Sequence, residues 1–386
     1  MSATEESSYV AEALKAALAR GEVGLQVAAY LGGDLVVDSS AGVLAEGSAS
    51  PVTLETLFPI FSVTKAVTAV ALHVQADRGL VDYSAPVADY WPEFAVHGKG
   101  QTTVLDVLTH RAGIPQMPEG VTPERMCDWE WMTSHIADLH PLFPPGQMSS
   151  YHSLTFGWLV GEIVRRTDNQ RRTFGTFVRD EICEPLGITD LYIGLPASAQ
   201  ARMATLSAEP ALTAASAPSD LHRVAMPESV DLIPPIYNRP ALWRAEIPGT
   251  GGITNASSCA RFFAMLANGG QLHGVRVLSE QTVRRFATLR TNPREVDRVN
   301  NGVRWIGVGG LWLTGPEPPF DPVVGPVPNV LYHPGAGGSI GWAELDSGLA
   351  VAICHNRMFA GSFDANRNPL VDVGRAVRKA AEAARG

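Results

Sequence analysis

Ser62 and Lys65 are the residues of this chain whose types and spacing could do chemistry. At helical i,i+3 spacing, two side chains lie on one face of a helix within reach of each other. A serine hydroxyl needs an adjacent base to act as a nucleophile near neutral pH, and a lysine that has lost water has its pKa lowered towards that role. The pair therefore predicts a hydroxyl nucleophile activated by an amine.

The surrounding sequence must position this pair. An apolar approach at 58–61 precedes it, and an apolar run at 66–74 follows before Asp77-Arg78-Gly79 ends the helix. A helix that is apolar nearly all round is buried, so Ser62 and Lys65 would lie at the edge of a core. The competing interpretation is a serine cap and a lysine that reaches solvent.

Composition limits the classes of function. The chain has 386 residues, 45% hydrophobic and 18% charged, with a net charge of −9 and no basic block. One large domain or two interlocked domains are expected at this length. The charge makes nucleic acid and anionic membranes poor partners.

Three further features predict a cytoplasmic protein. Residues 1–8 are acidic and polar and do not form a secretory signal, and no apolar run is long enough to span a membrane. Four cysteines lie far apart, which favours reduced thiols over a disulfide or zinc framework. No metal and no cofactor are expected, because the usual ligand spacings are missing.

The pattern of elements predicts a sheet made from both ends of the chain. A hairpin is expected at 25–37, strands at 305–313, 340–345 and 349–354, and a terminal helix at 369–384. Between them, helices are expected at 104–109, 154–166 and 174–183, and residues 202–248 are irregular. The predicted architecture is a sheet covered by helices, with a helical insertion.

Several short motifs occur in the order and spacing of a known group of proteins. Together they resemble the serine β-lactamase-like superfamily in its class C branch, which includes class C β-lactamases, D-Ala-D-Ala peptidases and family VIII carboxylesterases. The motifs that carry this resemblance are Ser62-Val63-Thr64-Lys65, Leu108-Thr109-His110-Arg111-Ala112-Gly113-Ile114-Pro115, Pro144-Pro145-Gly146, Tyr151-His152-Ser153, Glu184-Pro185-Leu186-Gly187-Ile188, Gly251-Gly252-Ile253 and His333-Pro334-Gly335-Ala336-Gly337-Gly338-Ser339.

The resemblance implies an α+β fold, with an antiparallel sheet flanked by helices plus an all-helical domain. Residues 1–61 and 240–386 would form the α/β domain built around the sheet. Residues 62–239 would form the mostly helical domain, and the active site would lie in the cleft between the two.

The resemblance also implies roles for residues. Ser62 would be the acylated nucleophile, and Lys65 and Tyr151 would share general-base and proton-shuttle work, with the residue that takes the serine proton left open. The backbone N–H groups of Ser62 and Ala336 would form the oxyanion hole, where two preorganised donors stabilise the charged oxygen of a tetrahedral intermediate.

Two departures from the family pattern bear on the substrate. Ser153 stands where the family usually has an asparagine that contacts an acylamido side chain, which weakens the case for a peptide or penicillin. His333 and Gly335 belong to a His-Pro-Gly that replaces the lactamase Lys-Thr-Gly. A histidine is a poorer partner than lysine for a substrate carboxylate. Ser153, His333 and Gly335 are expected to contact substrate.

Other residues have competing interpretations. Trp129 is either part of an aromatic core or lines an apolar acyl pocket and contacts substrate. His110 is a candidate triad member or holds a turn, and His152 lines the cleft or points away from it. Ser339 lies in Gly337-Gly338-Ser339-Ile340-Gly341, a G-x-S-x-G pattern, but the helix that must follow a nucleophile elbow is missing from the sequence.

These observations predict a serine hydrolase of the family VIII esterase type that acts on small-molecule carboxylic esters through an acyl-enzyme. One alternative is a β-lactamase or D-amino-acid amidase or peptidase of the same fold. Others are an acyltransferase that passes the acyl group to a small-molecule acceptor, and a binding protein that keeps only the fold. Oligomeric state is left open.

Overall fold

The computed structural model describes residues 3–210, 219–360 and 362–384. The α-helices in these ranges are α1 (Ala3–Ala19), α2 (Thr64–Asp77), α3 (Val87–Tyr90), α4 (Val104–Leu108), α5 (Pro123–Met126), α6 (Trp129–Ala137), α7 (Thr155–Thr167), α8 (Phe174–Val178), α9 (Asp220–Ala225), α10 (Pro234–Tyr237), α11 (Pro240–Arg244), α12 (Ala256–Ala267), α13 (Glu280–Phe286) and α14 (Leu370–Ala383).

The strands are mostly short outside one main sheet. They are β1 (Gly24–Leu31), β2 (Asp34–Gly42), β3 (Phe58–Pro59), β4 (Leu191–Ile193), β5 (Ser207–Ala208), β6 (Gly252–Thr254), β7 (Gln271–Leu272), β8 (Val275–Arg276), β9 (Val296–Asp297), β10 (Gly302–Val303), β11 (Trp312–Leu313), β12 (Val330–Pro334), β13 (Ile340–Glu344), β14 (Leu349–His355) and β15 (Arg357–Met358).

The main sheet is antiparallel and is built from both ends of the chain. Its six strands lie in the order β11-β12-β13-β14-β1-β2. The β1–β2 hairpin turns at Gly32 and Gly33, whose φ angles of 61° and 104° are typical of glycine in two-residue hairpin turns. Ala28 pairs with Ala352 in the centre of the sheet, and His333 pairs with Gly341 near its edge.

Alternate residues of the central strands face two separate apolar layers, as the two-residue period of a strand requires. Ala28 and Ala352 face the layer that includes α12 and α2, whereas Val27 and Ile353 face the layer formed with α1 and α14. Both faces of the sheet are therefore covered by helices, and the predicted α+β class with an antiparallel sheet is confirmed.

The predicted helices are confirmed with small shifts at their ends. The run that begins at Ser62 forms a short 3-10 turn (Phe61–Val63) that continues into α2, and the expected helices at 104–109 and 154–166 are α4 and α7. The helix expected at 174–183 is α8 followed by a π-helical turn (Arg179–Cys183).

Two segments differ from the sequence prediction. The strand expected at 305–313 is wrong over most of its length, because only Trp312–Leu313 pairs with β12, and Gly307, Gly309 and Gly310 form a turn before it. Residues 202–248, expected to be irregular, contain several short helices, and residues 211–218 lie outside the described ranges.

The division of the chain into two domains at 61 and 240 stays a prediction. One continuous cluster of buried side chains extends from Ala28 of β1 through Val67 of α2 to Phe263 of α12. The sheet and the helices next to Ser62 therefore share a core. Among the described residues, no helix is long and apolar enough to cross a membrane.

Candidate active site

Ser62 lies in a tight turn between a strand and a buried helix. Phe61, the residue before it, has a φ of 46°, a conformation that is unusual for a bulky side chain and often marks a functional turn. Thr64 fixes this turn, because its hydroxyl donates to the Phe61 carbonyl at 2.5 Å and accepts from the Gly252 N–H at 2.9 Å. Ser62 is thereby held at the start of α2 with 6% of its surface exposed.

Lys65 is buried completely and points at Ser62. Its Nζ lies 2.9 Å from Ser62 Oγ, 2.8 Å from the Ser153 carbonyl oxygen and 2.9 Å from the Gly249 carbonyl oxygen. Burial lowers the pKa of Lys65 well below its ordinary value. Because a carbonyl only accepts, a neutral amine here donates its two N–H groups to the carbonyls and turns its lone pair towards the Ser62 hydroxyl.

The Gly249 carbonyl is a contact that sequence reasoning missed. Thr68, one turn after Lys65 on α2, donates to the Pro248 carbonyl at 2.6 Å and so fixes this part of the chain against α2. Gly249 is 184 residues from Lys65, and neither its type nor its neighbours identify it as a lysine partner. The carbonyl of Ser153 is used in the same way, so Ser153 reaches the site through its backbone.

Tyr151 places a second hydroxyl beside Ser62. The Tyr151 hydroxyl interacts with the Ser62 side chain, which acts to lower the tyrosine pKa, and Lys65 Nζ lies 5.2 Å from the centroid of the tyrosine ring. Burial raises the pKa of Tyr151 above its ordinary value, and the nearby Asp297 charge adds to this effect. The phenol therefore stays protonated near neutral pH and can hand on a proton.

The segment that carries Tyr151 forms no helix or strand, and hydrogen bonds to a distant part of the chain hold it in place. Ser149 donates its N–H to the Glu295 carboxylate at 3.0 Å and its hydroxyl to Asp297 Oδ2 at 3.0 Å. Its carbonyl accepts from the Arg298 N–H at 3.1 Å. The segment at 295–298, which contains β9, therefore supports the tyrosine, and sequence reasoning missed this support as well.

Ala336 begins a short turn (Ala336–Gly338) that lies against the Ser62 turn. A Cβ on Gly335 would lie 2.5 Å from the Ile60 carbonyl oxygen, so only glycine lets the two segments approach this closely. Ser62 and Ala336 each lie in the first turn of a short helix, where N–H groups have no acceptor within the helix. The two amides expected in the oxyanion hole thus belong to neighbouring segments.

His333 is buried and neutral. Its Nδ1 donates to the Pro334 carbonyl at 2.9 Å, which leaves Nε2 as an acceptor without a partner among the described residues. Burial lowers the pKa of His333 to about 3. Trp312, which sequence reasoning did not select, has its ring centroid 5.6 Å from that of His333 and 5.9 Å from that of Tyr151.

The side chain of Trp129 makes its contacts away from Ser62, Lys65 and Tyr151. Its indole N–H donates to Glu162 at 2.7 Å, and its ring packs against Arg165 and Phe174. These contacts do not support the prediction that Trp129 contacts substrate.

Ser339 is buried and its hydroxyl accepts from the His355 N–H at 3.3 Å. The strand β13 follows it directly, so the helix of a nucleophile elbow is missing here.

His152 is also buried. Its two ring nitrogens contact the Ser150 carbonyl at 2.6 Å and the Ile114 N–H at 3.3 Å, so its side chain binds the backbone of these two residues. Among the described residues, no three His, Cys, Asp or Glu side chains are grouped as a metal site.

Comparisons with known proteins identify the family of this chain. The family model named Beta-lactamase matches residues 10–375. The esterase/beta-lactamase LipL of Mycobacterium tuberculosis is 33% identical over 381 residues, which cover 94% of this chain and 83% of LipL.

Two solved structures are also similar. A family VIII carboxylesterase superposes with a TM-score of 0.87 at 32% identity, covering 97% of each chain. A penicillin-binding protein homologue from Caulobacter crescentus superposes with a TM-score of 0.85 at 32% identity, again covering 97% of each chain. The chain therefore belongs to the beta-lactamase family.

Proposed function

We propose that this chain is a serine hydrolase that cleaves small-molecule carboxylic esters through an acyl-enzyme on Ser62. The observation that carries the proposal is the contact between Lys65 Nζ and Ser62 Oγ at 2.9 Å, made by a lysine whose other two partners are backbone carbonyls. Burial lowers the pKa of this amine, and a base beside a serine is what nucleophilic catalysis requires.

In the acylation step, Ser62 Oγ attacks the ester carbonyl carbon while its proton passes to Lys65. The carbonyl π electrons move to the ester oxygen, which becomes an oxyanion that accepts hydrogen bonds from the N–H groups of Ser62 and Ala336. Removing one such donor from related sites costs about 3 kcal/mol of transition-state stabilisation. When the oxyanion collapses, the bond to the alcohol oxygen breaks and the acyl group stays on Ser62.

We assign to Tyr151 the transfer of the proton to the departing alcohol. Its hydroxyl contacts Ser62, and its raised pKa makes it a poor base but a suitable carrier of a proton from Lys65 to the departing alcohol. Water then attacks the acyl-enzyme with the same groups acting in reverse, which releases the acid and restores the Ser62 hydroxyl. This assigns the base role, left open by the sequence, to Lys65.

The chemistry of His333 is the reason for proposing ester substrates. A neutral ring that offers a bare Nε2 acceptor cannot pair with the carboxylate of a penicillin as a lysine would. Two of the similar proteins are named as a family VIII carboxylesterase and as an esterase/beta-lactamase, which also supports ester substrates.

The proposal is tested by measuring the turnover of p-nitrophenyl esters and of nitrocefin. The two proteins compared are the unsubstituted chain, called the parent, and the variant Ser62→Ala. We expect fast ester turnover and slow nitrocefin loss in the parent, and a fall of ester turnover by several orders of magnitude in Ser62→Ala. Rapid nitrocefin hydrolysis by the parent would reassign the chain to lactam substrates. Ester turnover retained by Ser62→Ala would overturn the proposal.

A further inference from the structure

His110 occupies a position where a helix usually ends in glycine. At the end of α4, the Arg111 N–H donates to the Asp106 carbonyl at 2.7 Å and the His110 N–H donates to the Val107 carbonyl at 3.1 Å, which is the bonding pattern of a Schellman helix end. His110 has a φ of 59°. Glycine adopts that conformation without the steric cost that a Cβ brings, whereas His110 places an imidazole ring at this position.

The imidazole packs directly on the active-site tyrosine. The ring centroids of His110 and Tyr151 are 4.6 Å apart, and Phe156 lies on the His110 ring at 4.8 Å. His110 is completely buried. The tyrosine ring therefore has a fixed neighbour that limits its rotation.

His110 also binds the backbone on both sides of Tyr151. Its carbonyl accepts from the Ser150 N–H at 3.0 Å, and its Nδ1 accepts from the His152 N–H at 3.1 Å. An Nδ1 that accepts carries a lone pair, so the ring must be neutral to make this bond. One residue thus holds the amide before the tyrosine, the amide after it and the tyrosine ring.

We propose that His110 is a positioning residue that holds the Tyr151 hydroxyl against Ser62. This inference rests on the proposed role of Tyr151 as proton carrier. The segment at 149–153 has no regular structure, so the position of the hydroxyl depends on such external contacts, and a misplacement of about 1 Å at a reacting group costs roughly 10²-fold in rate.

The test compares His110→Gly and His110→Asn in the parent and in a Tyr151→Phe background. Glycine keeps the backbone conformation and removes the ring and the Nδ1 acceptor. Asparagine also tolerates a positive φ, and its amide oxygen can accept from the His152 N–H. His97→Gly is the matched control, because His97 has a φ of 57° and instead contacts Asp138 at 2.9 Å.

We expect His110→Gly to lower kcat for p-nitrophenyl esters about 10²-fold with little change in KM, and His110→Asn to recover at least about tenfold of that loss. His97→Gly should leave kcat unchanged. In the Tyr151→Phe background, His110→Gly should cause no further fall, because the hydroxyl that it positions is already missing.

Thermal unfolding of each variant checks that it is folded, and His110→Asn keeps the test informative if His110→Gly is unstable. An equal loss in both backgrounds, or full activity in His110→Gly, would overturn the positioning role while leaving the function of Ser62 in place. Full activity in Tyr151→Phe would overturn both this inference and the proton-carrier role.

Discussion

Lys65 Nζ lies 2.9 Å from Ser62 Oγ, and its other contacts are two backbone carbonyl oxygens at 2.8 Å and 2.9 Å. Burial is the cause that lowers its pKa, and no charge among the described residues opposes that shift. A lysine that forms part of an ion pair keeps its proton, whereas burial without a charged partner makes this lysine release its proton more readily. The proposed role of Lys65 as the base rests on this relationship between the two residues.

Replacement of Lys65 by arginine should remove activity, because it puts a permanently charged group where the mechanism needs a neutral amine. An arginine cannot release its proton in a protein, so it cannot act as the base, and we expect kcat/KM for esters to fall by about 10³-fold or more. The matched control is Lys99→Arg, because Lys99 also donates to two carbonyls, those of Val96 at 2.9 Å and Leu139 at 2.6 Å. Equal losses in the two variants would contradict the role of Lys65.

The rate should depend on pH through Lys65. The active form is the neutral amine, so kcat/KM should fall as the pH drops through the lowered pKa of Lys65 and should be level above it. Tyr151 should not impose an alkaline fall near neutrality, because burial raises its pKa. A pH–rate profile on p-nitrophenyl esters checks this, and an acid limb centred near the ordinary lysine value of about 10.4 would argue against a neutral Lys65.

The choice of ester over lactam should depend on His333. Substitution of His333 by lysine puts a cation where a lactam carboxylate would bind, so the ratio of nitrocefin to ester kcat/KM should rise by about tenfold or more. His333→Gln is the control, since it keeps a neutral acceptor and should leave the ratio near that of the parent. Steady-state kinetics on both substrates give the ratio, and an unchanged ratio in His333→Lys would show that His333 does not set substrate preference.

Ser339 should prove to be a structural residue. Its buried hydroxyl accepts from the His355 N–H at 3.3 Å, so Ser339→Ala should lower the free energy of unfolding by about 1 kcal/mol. Ester turnover should stay within a few fold of the parent. Denaturant titration and kinetics on the same preparation measure both effects, and a loss comparable to that of Ser62→Ala would mean that the G-x-S-x-G serine is the nucleophile.

The sequence was informative where a role depends on local spacing. Ser62 and Lys65 lie three residues apart where a 3-10 turn continues into α2, and the periodicity of the residues after them predicts that helix directly. The G-x-S-x-G pattern could likewise be rejected because a strand, not a helix, follows Ser339.

The sequence could not show contacts that depend on tertiary packing. Gly249 reaches Lys65 only through its backbone, and a carbonyl is the same in every residue type. The apolar run at 305–313 has strand composition, but its glycines form a turn and only Trp312–Leu313 joins the sheet. Trp129 packs on α7 because Glu162 offers an acceptor for its indole, a choice that no spacing rule encodes.

The most direct measurement is the mass of the intact chain after brief exposure to a fluorophosphonate and to a p-nitrophenyl ester, followed by peptide mapping of the adduct. We predict a single covalent adduct on Ser62 with both reagents, formed much more slowly in Lys65→Arg. An adduct on another serine, or none on Ser62 while ester is consumed, would contradict the assignment of Ser62 as the nucleophile.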